Sequence, residues 1–157
     1  MRGSVCEKGS FCAVDGNGNA YVAGCTYGLT SNQGVQDAFV RKFDPSGAVL
    51  WTQQIGTSGY DYCSALGVDG NDDVFVVGST GGAFEGSNAG SGDIFVSKLD
   101  AGGATLWTKQ IGTPLDDSAH GAAVDSAGDV YVVGAKGDDI NPDAADAFIL
   151  QVPASSN

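Results

Sequence analysis

Four cysteines, a single histidine and a surplus of aspartates are the residues of this chain whose types could do chemistry. Cys6, Cys12, Cys25 and Cys63 contain no Cys-x-x-Cys pair, and only His120 could add an imidazole, so no zinc set is assembled. Four cysteines allow three pairings. At least one disulfide is expected, either Cys12–Cys25 across the first hairpin or one made by Cys6. The competing expectation is buried free thiols in a reducing compartment. Asp15-x-Asn17-x-Asn19, Asp69-x-Asn71-x-Asp73 and Asp125-x-Ala127-x-Asp129 put oxygens at alternate positions, as a calcium loop does. They lack the later glycine and glutamate of an EF-hand, and the third copy loses its middle ligand. Asx side chains capping tight turns account for them without a metal. Asp138, Asp139, Asp143 and Asp146 form a second acidic group, read as a solvated loop. His120 has Ser118 and Asp116 as neighbours, but no Gly-x-Ser-x-Gly elbow surrounds either. A phosphate-cradling Gly-x-x-x-x-Gly-Lys is also lacking. Neither catalysis nor a cofactor is expected.

The elements that must position these residues are set by an internal repeat with a period in the mid-fifties. Ala13-Val14-Asp15, Gly67-Val68-Asp69 and Ala123-Val124-Asp125 are equivalent. So are Tyr21-Val22-Ala23-Gly24, Phe75-Val76-Val77-Gly78 and Tyr131-Val132-Val133-Gly134. Asp37-Ala38-Phe39-Val40, Asp93-Ile94-Phe95-Val96 and Asp146-Ala147-Phe148-Ile149 follow. Leu50-Trp51-Thr52 with Gln54-Ile55-Gly56 matches Leu106-Trp107-Thr108 with Gln110-Ile111-Gly112, and has no third copy. Each block is a short β-rich run bounded by Gly, Asp, Asn or Ser. In the middle repeat the strands are expected near 64–68, 73–79, 93–99 and 104–111. Helical periodicity is absent, and 25 glycines in 157 residues would melt helices.

Four antiparallel strands per repeat describe one β-propeller blade, which must stack on neighbours to bury its faces. The chain is therefore expected to be all-β, a partial propeller of about three blades and eleven strands that does not close on itself. Residues 1–9 form a lead-in, 10–56 the first blade, 57–112 the second and 113–157 an incomplete third. Two-chain closure into a six-blade ring is one geometric option. The pattern Ala-Val-Asp-x-x-Gly-Asn-x-Tyr-Val-x-Gly, with Asp-Ala-Phe-Val-x-Lys-Phe-Asp and Leu-Trp-Thr, resembles the SBBP β-propeller repeat from about residue 10 to 152. That resemblance implies an extracellular or surface-associated propeller used mainly for interaction.

Spacing shows where variation is allowed. Asp37 to Asp69 and Asp93 to Asp125 are equally spaced, whereas Gly24 to Asp37, Gly78 to Asp93 and Gly134 to Asp146 differ. Length changes therefore fall in the loop between the second and third strands, at one end of the blades. Loops on a rigid scaffold usually carry binding. Phe39, Phe95, Phe148, Trp51 and Trp107 recur and should pack between blades. Tyr27, Tyr60, Tyr62 and Phe84 do not recur and, with Asn32, Gln33 and Asn88, are the candidate ligand or partner residues. A protein partner, or further copies of the chain, is the first expectation; a glycan is the second. Nucleic acid is disfavoured by 7 basic against 19 acidic residues and a formal charge of −12. Membrane insertion is not expected, because no apolar run approaches spanning length.

Overall fold

A computed structural model describes residues 7–27, 34–137 and 145–154. Eleven strands run through them: β1 (Glu7–Val14), β2 (Ala20–Thr26), β3 (Asp37–Phe43), β4 (Val49–Ile55), β5 (Asp61–Val68), β6 (Val74–Thr80), β7 (Asp93–Leu99), β8 (Thr105–Ile111), β9 (Ser118–Val124), β10 (Val130–Gly137) and β11 (Ala145–Val152). They form three antiparallel meanders, β1-β2-β3-β4, β5-β6-β7-β8 and β9-β10-β11. The sheets stack without closing, which is the partial propeller expected from the repeat.

Five tight turns at one end are built alike. In each, an aspartate Oδ1 accepts two backbone N–H groups of its own turn, as Asp15 does from Asn17 and Asn19 at 2.9 Å. Asp44, Asp69, Asp100 and Asp125 repeat the arrangement. The fourth residue of every turn has positive φ: Gly18, Gly47, Asp72, Gly103 and Gly128. Glycine suits that conformation, and aspartate tolerates it better than most residues. The alternating Asp/Asn pattern thus serves the turns, one oxygen of each leading aspartate taking two backbone donors.

Two apolar layers lie between the sheets. The first takes Tyr21, Ala23, Ala38 and Val40 from one sheet against Cys63, Val74, Val76, Phe95 and Leu99 of the next. The second takes Phe75, Val77, Ile94 and Val96 against Ala119, Val130, Val132 and Val152. The middle sheet is buried on both faces, which explains the unbroken run Val74-Phe75-Val76-Val77 where a one-sided strand would alternate. Phe95 is buried between the sheets, and Trp51, Trp107 and Phe148 pack at the layer edges, as their recurrence led us to expect; Phe39 is buried but belongs to neither layer.

A second motif recurs at the turn end. Lys42 lies 3.5 Å from Asp15 and over the Tyr21 ring at 4.9 Å; Lys98 lies 2.8 Å from Asp73 and over Phe75 at 5.1 Å. Burial opposes the Lys42 charge, yet the Tyr21 hydroxyl and the Asp15 carboxylate hold its pKa above the ordinary value. Trp51 meets Tyr21 edge-on, as Trp107 meets Phe75. The Trp51 indole N–H and the Lys42 ammonium both donate to the Ala101 carbonyl in the next sheet's turn, at 3.1 and 3.3 Å. Sheet one thus grips sheet two by an aromatic and a cation on one carbonyl.

Two boundaries differ from expectation. β1 begins at Glu7, inside the supposed lead-in, and β5 begins at Asp61 rather than near residue 64. Both strands carry an irregularity, between Gly9 and Phe11 and between Cys63 and Ala65, which breaks the alternation that marks a strand in sequence. The irregularity also explains the glycines within β6 and β10, Gly78 and Gly134, which lie beside it. A Cβ on Gly78 would stand 1.8 Å from the Tyr62 carbonyl oxygen.

Two outcomes follow. Gly47 and Gly103 share positive φ, but a Cβ at Gly47 meets nothing within 4 Å, whereas at Gly103 it would lie 2.7 Å from Trp51. In denaturant titrations Gly47→Ala should cost about 1 to 2 kcal/mol, and Gly103→Ala about 1 to 3 kcal/mol more. Equal losses would mean that Trp51 does not press on that turn. For Asp15, burial pushes the pKa up, but hydrogen bonds from Asn19, Tyr21 and Asn17 outweigh it and hold the carboxyl at about 2. A carboxyl with a depressed folded-state pKa adds stability above pH 4, lost as pH falls toward 2. Asp15→Asn should therefore lower stability at pH 7 and flatten its decline between about pH 4 and 2.

Candidate functional site

The end of the sheets opposite the tight turns is held by polar side chains reaching from the strands into the loops. On β8, the Gln110 amide donates to Asp93 and Asn88 at 2.7 Å and to the Gly82 carbonyl at 2.9 Å, while its oxygen accepts the Phe84 N–H. Asp93 also accepts the Ala89 N–H. One glutamine thereby fixes the whole loop between β6 and β7. Gln54 reaches Asp37 in the same way in the first sheet. In the connection from β4 to β5, Asp61 accepts the Thr57 N–H at 2.7 Å, and in that from β8 to β9, Asp117 accepts the Thr113 N–H at 2.6 Å. Burial raises the Asp61 pKa, and the neighbouring Asp37 charge adds to the rise.

Backbone bonds then tie each loop to the next connection. The Val35 N–H donates to Gly59, that of Asp61 to Gln36, that of Gly81 to Tyr60 and that of Asp117 to Gly92. Gln36 pairs with Tyr60, and Gly92 with Asp116, as isolated parallel bridges. The loop end is a rigid surface joining neighbouring sheets.

On that surface stand Tyr27, Tyr60 and Tyr62, all exposed. Tyr60 and Tyr62 point to one side of the start of β5, their rings parallel within 4° and their centroids 6.2 Å apart. The Tyr62 hydroxyl is pushed to a higher pKa by burial, with Tyr27, Tyr60 and Cys25 as the nearby acidic groups that add to it. Beside the two rings runs a groove of about 420 Å³ whose walls carry Ser79, Ser91, Asp116 and Ser118. Sequence reasoning missed these four as one site. Their only signal was position, since they sit on three segments, two of sheet two and one leading into β9, that come together only when sheets two and three stack.

The remaining candidates are placed elsewhere. Phe84 packs against Phe95 at 5.2 Å, and Asn88 is bound to Gln110 and Gly90, so both serve the loop scaffold. Asn32, Gln33 and Cys6 lie outside the described residues, as do Asp138, Asp139 and Asp143. His120 is exposed on β9, its Nε2 3.2 Å from the Ser118 hydroxyl. The expected Cys12–Cys25 disulfide is not formed: Cys12, Cys25 and Cys63 are free. The register explains why. Cys12 pairs with Val22 and Cys25 with Lys8, so the two cysteines are several positions apart along the ladder. That offset, about 10 Å at the strand rise, is beyond disulfide reach, and the odd spacing from Val22 to Cys25 reverses the face. Cys25 and Cys63 approach each other between the first two sheets, while Cys12 faces outward.

Three stacked antiparallel sheets with these hairpin turns define a propeller-type repeat protein. Residues 50–85 and 106–135 match the SBBP family model, a β-propeller repeat, so the resemblance seen in the repeat motifs is real. Each matched segment begins on the last strand of one sheet and ends in or just beyond the second strand of the next, so the sequence repeat straddles a sheet boundary. No curated protein matches the chain.

The thiols give a direct check on this placement. Desolvation, with Cys25 nearby, pushes the Cys63 thiol up to about 12. In a Cys6→Ser background, an aromatic disulfide reagent at pH 8 should modify exposed Cys12 first and reach Cys63 only on unfolding. Rapid native labelling of Cys63, read by peptide mass mapping, would contradict its burial between the sheets.

Proposed function

We propose that the chain is a non-catalytic β-propeller-repeat module that binds a protein partner through its loop end. The observation that carries this reading is the convergence of Tyr27, Tyr60 and Tyr62, exposed, on a surface whose backbone is fixed by Gln110, Asp61 and Asp117. Exposed tyrosines on a rigid frame lose little entropy on docking and are frequent interface anchors. The formal charge of −12 favours a partner surface that is neutral or basic. The family resemblance supports an extracellular or surface setting. A second reading, a neutral glycan, is favoured by the groove itself. Parallel aromatic rings beside Ser79, Ser91, Asp116 and Ser118 offer an apolar face and hydroxyl partners to a sugar ring.

The double variant Tyr60→Ala/Tyr62→Ala separates these readings. Both rings are exposed, so the variant should melt within about 2 °C of the parent. A protein partner bound by the parent should be lost at least tenfold in affinity by the double variant. A partner retained with unchanged affinity would end the tyrosine reading. A sugar bound on a glycan array by the parent, and not by the variant, would establish the second reading instead.

A further inference from the structure

Two cysteines face each other across the seam between sheets one and two. Along β2, Tyr21, Ala23 and Cys25 alternate with Val22 and Gly24, and Tyr21 and Ala23 are buried against sheet two. Cys25 continues that row on the forward face of sheet one, half-buried at the loop end. Cys63 pairs with Gly78 and is buried with Val74 and Val76 on the rear face of sheet two. The repeat shows the same place twice. Cys25 follows Gly24 as Ser79 follows Gly78, and Cys63 stands opposite Gly78 as Ala119 stands opposite Gly134. At the seam between sheets two and three, the Ser79 hydroxyl accepts the Ala119 N–H at 3.1 Å. This position therefore ties a forward face to a rear face by a hydrogen bond at one seam, and carries a sulfur on each side at the other.

We propose that Cys25 and Cys63 form a disulfide between sheets one and two under oxidising conditions, the free thiols being its reduced state. A side chain at hydrogen-bond distance from the opposite backbone approaches the β-carbon separation of about 4 Å that a disulfide requires. In the reduced state the Cys63 thiol donates to the Ala65 carbonyl at 3.5 Å. Burial, with Cys25 beside it, keeps that thiol protonated at neutral pH, so half-buried Cys25 meets the oxidant first. With glutathione disulfide as the oxidant, the Cys25 thiolate forms a mixed disulfide and one glutathione leaves. Cys63 then gives its proton to solvent and attacks the Cys25 sulfur, and the second glutathione departs. Two protein thiols are oxidised, and one glutathione disulfide is reduced to two glutathiones. The bond fastens the loop end of a seam that Trp51 and Lys42 fasten at the turn end. It makes no use of the loop-end tyrosines, so this proposal and the binding proposal can fail separately.

The test uses the full chain and a Cys6→Ser/Cys12→Ser variant that keeps only this pair. Each is incubated with glutathione disulfide at pH 8, alkylated in denaturant and mapped by peptide mass with fragmentation. Both should yield a peptide cross-linked through Cys25 and Cys63 within one chain. The oxidised two-cysteine variant should melt about 10 °C above the same protein in dithiothreitol. Adding Cys25→Ser to that variant should abolish the redox-dependent shift. Two alkylated thiols after oxidation, glutathione retained on Cys25, or another pairing of either cysteine would overturn the proposal. So would a Cys25–Cys63 bond that lowers the melting temperature, because such a bond distorts the seam rather than fitting it.

Discussion

A twisted four-stranded sheet has two faces, and no helix among the described residues covers either, so face-to-face stacking is the constraint on which the rest of this structure depends. The middle sheet satisfies it twice, and its second and third strands are buried almost throughout. The outer sheets satisfy it once each. Stacking in this way is directional, because a forward face of Tyr21, Ala23 and Val40 differs in shape from the rear face of Val74, Val76 and Leu99 that it meets.

Apolar layers alone would let the sheets slide over one another. Two polar devices set the angle, one at each end. At the turn end, Trp51 and Lys42 fasten onto a single carbonyl of the next sheet. At the loop end, parallel backbone bridges join Gln36 to Tyr60 and Gly92 to Asp116. The loop-end device also has a consequence for binding. Tyr60 takes part in the bridge through its backbone while its ring faces solvent, so the surface that displays the tyrosines is the one that locks the sheets.

Much of this was legible in the sequence because the repeat compared the chain with itself. Strand order, turn identity and the packing role of Phe95 and Trp107 followed from matched positions. The cysteines were harder to place. Reading Cys12–Cys25 as a hairpin pair needed a register, and an irregular residue near Gly9 is invisible to a pattern of alternation. The groove beside Tyr60 and Tyr62 was beyond reach for a different reason. Ser79, Ser91, Asp116 and Ser118 are ordinary residues singly, and only the stacking of two sheets brings them to one place. Asn88 and Phe84 looked like ligand residues because they break the repeat, yet they break it to satisfy Gln110 and Phe95.

The fourth strand of each sheet does more than widen it. It carries the tryptophan that reaches forward to the next sheet and the glutamine that reaches back to the buried aspartate of its own third strand. Among the described residues, β11 has no such strand beside it, so the third sheet lacks both the forward grip and the inward one. Its rear face is nonetheless buried by Val130, Val132 and Val152. Sheet three is thus anchored by its apolar rear face, the backbone bridge from Gly92 to Asp116 and the Ala119 N–H on the Ser79 hydroxyl, and resistance to local opening should decline from sheet two to sheet three.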